Sequence, residues 1–272
     1  MRRRVLCLAA LLCAVIALFS GGMLIRELAQ ASAERAANDA LAQQRVRAAV
    51  ASTDASEQTG SSKEEEAPLP PMPVYAPSGR LLAYDGLYEQ NRDLAGWLIL
   101  EDLGVDLPVM NTPEDPEYYL HRGFDGQYAA GGCLFLGTGW DPEGNYAIIY
   151  GHNMRNDTMF GALDCYRDPE YAAAHPIFRF DTLSEQRTYT VLGAFYSRVY
   201  NDADRADVFR YYQYTSLEDP EIFQEFLEKF RAEAIYDTGV EVREDSRILV
   251  LSTCSYHRRD GRFVLVACQA ES

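Results

Sequence analysis

From Trp97 to Cys268 the chain keeps returning to one pattern, a short apolar run rich in β-branched and aromatic residues that ends in a polar or glycine-containing turn. The candidate strands are Trp97–Leu100, Val105–Met110, Gly132–Leu136, Tyr146–Tyr150, Ile177–Asp181, Thr188–Tyr200, Arg247–Ser252 and Arg262–Cys268. Such residues suit a pleated, half-buried surface, and so many strands imply a mainly β domain, a barrel or a sandwich. Helical spacing occurs at Tyr84–Leu94, near Met159–Tyr166 and most strongly over Asp219–Ala234, where Ile222, Phe223, Phe226, Leu227 and Phe230 form an apolar stripe. No solenoid repeat and no nucleotide-binding glycine fingerprint is present.

The N-terminal third reads differently. Arg2, Arg3 and Arg4 precede an uncharged run, Val5–Ile25, whose helical length of about 30 Å matches a bilayer core. With residues 1–4 in the cytoplasm, 5–25 are expected to form a single-pass anchor in the cell membrane, leaving the rest extracytoplasmic. Ala29-Gln30-Ala31 also fits a signal-peptidase site, and either reading exports the domain. Residues 26–79 read as an Ala-rich stalk followed by a Ser/Glu/Pro-rich linker containing Lys63–Glu66 and Pro68–Pro71. As a flexible coil of about 25 residues the linker would reach on the order of 25 to 30 Å. Residues 80–272 are then the globular domain.

A formal net charge of −16 argues against a nucleic-acid partner, since phosphate binding needs a basic surface. Of six cysteines, Cys7 and Cys13 fall in the apolar run, and Cys133, Cys165, Cys254 and Cys268 are widely spaced beyond it. No Cys/His cluster has ligand spacing, so no structural metal and no cofactor are expected. A disulfide among Cys133, Cys165 and Cys268 is left open.

Two strand ends carry reactive side chains. Ile248–Leu251 runs into Ser252-Thr253-Cys254, and Tyr146–Tyr150 runs into Gly151-His152-Asn153. After Cys254, the hairpin His257–Gly261 ends in an Asp-Gly pair that favours a turn, and antiparallel return brings Arg262 back beside Cys254. A thiolate is a nucleophile, an imidazole moves protons near neutrality, and a fixed cation stabilises a developing oxyanion. Cys254, His152 and Arg262 together suffice for acyl transfer. Arg258 and Arg259 also lie near Cys254, and His257 is the rival to His152. His121 and His175 read as loop residues, and Cys133 and Cys268 as buried structural thiols.

Leu251-Ser-Thr-Cys254, Tyr150-Gly-His-Asn-Met154 and Arg262-Phe-Val264 resemble the three active-site signatures of sortases. The likeness runs from about residue 84 to 268. Leu87–Trp97 is similar to the helix entering class B sortases, Tyr118-Tyr-Leu120 precedes a glycine-rich turn, and the helix over 219–234 before the Cys strand also looks class B. The resemblance implies a closed eight-stranded sortase-type β-barrel with an N-terminal helix and a long helix before the Cys strand. It further implies a cysteine transpeptidase that cleaves the C-terminal sorting signal of exported surface proteins as a thioacyl enzyme. The acyl group would pass to an amine of peptidoglycan precursor, with hydrolysis as a side reaction. Carried over, Cys254 is the nucleophile, His152 the acid and base, and Arg262 the carbonyl partner, with Ser252 and Leu120 as substrate contacts. The alternatives are a papain-like cysteine protease, which needs an Asn or Asp to orient its His, and a non-enzymatic β-domain serving as adhesin or receptor.

Overall fold

Several strands of this chain are apolar along their whole length, as strands buried on both faces must be. In a computed structural model, which describes residues 2–56, 73–201, 203–205 and 207–270, eight of them close into one barrel. They are β1 (Leu94–Leu100), β2 (Val105–Met110), β3 (Leu134–Leu136), β4 (Tyr146–Tyr150), β5 (Ile177–Thr182), β6 (Thr188–Arg198), β7 (Ile248–Ser255) and β8 (Gly261–Gln269). The order around the barrel is β1-β2-β3-β4-β7-β8-β6-β5, with β2–β3 and β4–β7 parallel and the other pairs antiparallel. The closed eight-stranded architecture implied by the sequence resemblance is the one the chain adopts.

Alternation along the strands sorts side chains between an interior and two outer layers. Ile149, Leu249, Leu251, Phe263 and Leu265 fill the barrel, while Ile148, Ile248, Val250, Val264 and Val266 face outward into a second apolar cluster. Helix α4 (Pro220–Glu233) covers that outer face with Phe223, Phe226, Leu227 and Phe230. Asp219 caps it by accepting from the backbone N–H of Glu221 and Ile222, and Pro220 occupies the first turn, where its missing N–H costs nothing. Ile222, expected in the apolar stripe, is instead exposed at the rim.

A third cluster, containing Trp97, Ile99 and Met110, lies under α2 (Leu82–Gln90) and under Leu41 and Ala42. Tyr84 of α2 donates its hydroxyl to buried Asp181 on β5 (2.6 Å). Helix α2 stops four residues before the expected Leu94, because Asn91 turns its amide to the Tyr119 hydroxyl (2.8 Å) and the Phe124 carbonyl (2.6 Å). The expected helix over Met159–Tyr166 does not form: Asp157 and Met159 adopt positive φ, and the chain makes a 3-10 turn at Leu163–Arg167. Helix α3 (Pro169–Ala174) follows, capped by Asp168.

Helix α1 covers Arg2–Ser56, and the chain divides into two compact units, one up to Ala40 and one from Leu41. Among the described residues no helix is long and apolar enough to cross a membrane. The expected anchor over 5–25 and the membrane localisation built on it are therefore corrected. A span needs roughly 20 predominantly apolar residues, whereas Ser20, Gly21 and Gly22 interrupt the run and Arg26, Glu27, Glu34, Arg35 and Asp39 follow on the same helix. Most of the expected linker, residues 57–72, lies outside the described residues.

Within the second unit, Asp106 on β2 accepts from the Trp97 indole N–H (2.5 Å) and from Arg45 Nη2 (2.9 Å), and the Arg45 guanidinium lies 5.8 Å from the Trp97 ring centroid. Trp97 is wholly buried. Asp106→Ala leaves its indole N–H without an acceptor, so denaturant unfolding should show a loss of about 1–3 kcal/mol. An unchanged midpoint would mean that Asp106 is not what satisfies the indole.

Candidate active site

The site grows from the register of three strands. Strand β4 runs parallel to β7 with Tyr150 opposite Ser252, and β8 runs antiparallel to β7 with Arg262 opposite Cys254. Residues two apart share a face, so Cys254 and Ser252 continue the outward face of Ile248 and Val250, and Arg262 continues that of Val264 and Val266. Helix α4 covers the lower part of this face. Above it the face opens into a cleft of about 420 Å³ lined by Leu120, His152, Ser252, Cys254 and Arg262 together with Trp140, Tyr146, Tyr150, Tyr211 and Tyr212. All five residues singled out from the sequence line this one cleft.

Cys254 is exposed and sits inside β7, which extends to Ser255 instead of ending at Ser252 as expected. Arg262 is half-buried, donates only to the backbone carbonyls of Asp260 (3.5 Å) and Gly261 (3.0 Å), and makes no ion pair among the described residues. The turn that returns it holds Asp260 at φ 55°, the left-handed conformation that Asp tolerates better than most residues. Its rivals are placed elsewhere. Arg259 is almost fully exposed beside Asp260, and Arg258 donates to His257, which also contacts Ser255 Oγ (2.9 Å). None of these three lines the cleft.

His152 is positioned from two sides. Three hydrogen bonds stitch its loop to the end of β7: Gly151 N–H to Ser252 O (3.2 Å), Thr253 Oγ1 to Gly151 O (2.8 Å) and Asn153 Nδ2 to Cys254 O (2.7 Å). On the other side, Nε2 lies 2.9 Å from the Leu120 carbonyl. A carbonyl only accepts, so Nε2 carries the proton and Nδ1 keeps the basic lone pair. Burial holds the His152 proton affinity below the ordinary imidazole range; the Leu120 hydrogen bond opposes that shift and neighbouring His121 reinforces it. Among the described residues no Asn or Asp orients the ring as one would in a papain-like site.

Ser252 is almost completely buried, and its hydroxyl pairs with the Tyr211 hydroxyl (2.8 Å). Leu120 reaches the site through its carbonyl as well as its side chain. Gly132, at φ 59°, lets the chain pass against the 3-10 turn Tyr118–His121, since a Cβ there would fall 2.4 Å from the carbonyl oxygens of Tyr119 and Leu120. Sequence reasoning missed Tyr211, whose loop has no periodic signal, and Asn153 and His121, which look like ordinary loop residues until the barrel closes. Cys133, Cys165 and Cys268 are free thiols, so the disulfide left open is not formed; burial pushes Cys133 up to about 12.

No family model matches the chain. The chain is 31% identical over 183 residues to sortase B of Listeria monocytogenes, covering 66% of this chain and 70% of that protein. It belongs to the sortase family, class B. Sortase B of Staphylococcus aureus is 25% identical over 188 residues, covering 68% of this chain and 73% of that protein. Among solved structures, a Staphylococcus aureus sortase B–substrate complex has a TM-score of 0.67 at 22% identity, covering 89% of this chain and 98% of that one. Sortase B from Bacillus anthracis in complex with AAEK1 has a TM-score of 0.59 at 26% identity, over 71% of this chain and 86% of that one. This sortase is accordingly a cysteine transpeptidase.

Gly151 sets the approach of His152 to the barrel. A Cβ on it would lie 2.5 Å from Leu134 Cδ2 and 2.7 Å from Phe160 Cδ2. Gly151→Ala should cost about 1–3 kcal/mol through overpacking and displace the His152 ring. Thermal unfolding together with the His152 imidazole NMR shifts checks both, and unchanged values would show that the contact relaxes freely.

Proposed function

We propose that this sortase cleaves a C-terminal sorting signal through Cys254 and passes the acyl group to an amine of a peptidoglycan precursor. His152 moves the proton and Arg262 faces the carbonyl oxygen. Catalysis is assigned to residues 80–272. The observation that carries the reading is the cross-strand pairing of Cys254 with Arg262 on the face of a cleft that His152 also lines.

Cys254 gives its proton to His152 Nδ1 as its sulfur bonds to the scissile carbonyl carbon. The charge gathering on the oxygen is stabilised by the Arg262 guanidinium, which among the described residues no carboxylate engages. Collapse breaks the C–N bond, and the leaving amine takes the proton from Nδ1, leaving a thioacyl enzyme. An incoming amine attacks the same carbonyl, yields its proton to Nδ1, and expels the Cys254 sulfur, which recovers that proton. Water in place of the amine gives hydrolysis. The aromatic walls supplied by Tyr150 and Tyr212 and the side chain of Leu120 would hold the sorting peptide, with the buried Tyr211–Ser252 pair supporting them from beneath.

Intact mass of the full chain, incubated with a library of sorting-signal peptides, tests the reading. A Cys254-dependent acyl adduct that converts to an amide when amine is added is expected. An adduct lost only to water would favour a protease, and no adduct with any peptide would favour a binding module. Arg262→Ala should lower kcat about 10²–10³-fold without unfolding, as loss of an oxyanion donor does; near-normal turnover would remove it from the mechanism.

The pH profile gives a separate check. A folded-state proton affinity held below the ordinary value of 6.5 keeps His152 neutral at and above that pH, and the basic Nδ1 is lost only as pH falls through the lowered value. The acid limb of kcat/KM should therefore lie below 6.5. A limb above that value would contradict the burial of a neutral His152.

A further inference from the structure

The His152 ring has a second partner besides the Leu120 carbonyl. The His121 ring lies over it with centroids 5.0 Å apart and planes inclined by 23°, a stacked arrangement. His121 is the last residue of the 3-10 turn Tyr118–His121, directly after the carbonyl that binds Nε2. One short turn thus grips the imidazole at its edge and on its face. That turn is itself anchored: Tyr119 is buried and its hydroxyl donates to Asp93 (2.9 Å), while the N–H of Cys133 donates to the Tyr119 carbonyl (3.0 Å). His121 is exposed, so its ring also shields the stacked face of His152 from solvent.

We propose that His121 is a positioning residue for the transpeptidase reaction, its stacked ring and the Leu120 carbonyl together fixing the imidazole that exchanges protons at Cys254. The inference rests on the catalytic role assigned to His152 above. A ring held only by one hydrogen bond can swing about its Cβ–Cγ bond. A second ring packed on its face restricts that motion, and near-attack geometry is sensitive to displacements of this kind. The same stack opposes a second positive charge, because two imidazolium rings face to face repel. Of the other charged and titratable groups around the cleft, Glu117 lies before the turn, Tyr146 and Tyr150 on β4, Tyr211, Tyr212 and Tyr214 between β6 and α4, Cys254 on β7 and Arg262 on β8. His121 acts with burial to hold the His152 proton affinity down.

The test compares His121→Ala and His121→Phe in the full chain, assayed for amide formation with a peptide and an amine. His152→Ala serves as the control, and circular dichroism verifies the fold. His121→Ala should lower kcat by about tenfold or more through misplacement of the ring, leave KM within about twofold, and move the acid limb of kcat/KM upward. His121→Phe retains a flat ring for stacking and should recover most of kcat. Wild-type kcat and an unmoved acid limb in His121→Ala would overturn the proposal. So would failure of Phe to rescue, or a rise in KM alone, which would make His121 a substrate contact. If His152→Ala keeps its activity, the catalytic reading itself fails, an outcome distinct from any result at position 121.

Discussion

The site depends on the register of β7, which is shared by two neighbours of opposite sense. Parallel pairing with β4 sets Tyr150 against Ser252, and antiparallel pairing with β8 sets Cys254 against Arg262. A slip of one residue in either ladder would send a side chain to the opposite face. Cys254 would then point into the barrel with Leu249 and Leu251, or Arg262 would enter a core made of Phe263 and Leu265. The apolar residues below the cleft thus secure the chemistry above it. Burying Ile248, Val250, Val264 and Val266 under α4 admits only the register that leaves Ser252, Cys254 and Arg262 on the open part of the same face.

Two kinds of packing define the cleft. Its floor is sheet, rigid because β7 and β8 are buried almost throughout. Its walls are loops tied to that sheet by specific bonds: Tyr211 to Ser252, Asn153 to the Cys254 carbonyl, and the Tyr118–His121 turn to His152. A transpeptidase needs both, a nucleophile held still and walls that fit a peptide. The Arg262 guanidinium bonds only backbone carbonyls among the described residues, whereas those of Arg45, Arg179 and Arg198 are engaged with carboxylates.

Much of this was legible in the sequence because its signals are local. Strand segments announce themselves through apolar β-branched runs, α4 through Asp219-Pro220 followed by Phe223, Phe226, Leu227 and Phe230, and the return of Arg262 through Asp260-Gly261. Signals that depend on closure were not legible. Neither the stacking of His121 on His152, separated by 31 positions in the chain, nor the Tyr211–Ser252 pair follows from spacing. Met159–Tyr166 misled because its apolar spacing suits a helix while positive φ at Asp157 and Met159 forbids one. The run 5–25 misled in another way: its apolar length matches a bilayer, but Ser20–Gly22 interrupt it and charged residues follow on the same helix, and among the described residues no helix is long and apolar enough to cross.

The central claim is that Cys254, His152 and Arg262 converge on one carbonyl group, and a crystal structure of a covalent complex that keeps that carbonyl tests it most directly. A sorting peptide that acylates the protein, remade as a chloromethyl ketone at the reacting carbonyl, can be trapped as a thioether on Cys254 with loss of chloride and crystallised. The account predicts that the oxygen beside the trapped linkage lies within hydrogen-bond reach of the Arg262 guanidinium, with His152 Nδ1 facing the leaving side and Nε2 still on the Leu120 carbonyl. A peptide bound with its backbone away from Arg262, or an imidazole turned so that Nε2 faces Cys254, would contradict it.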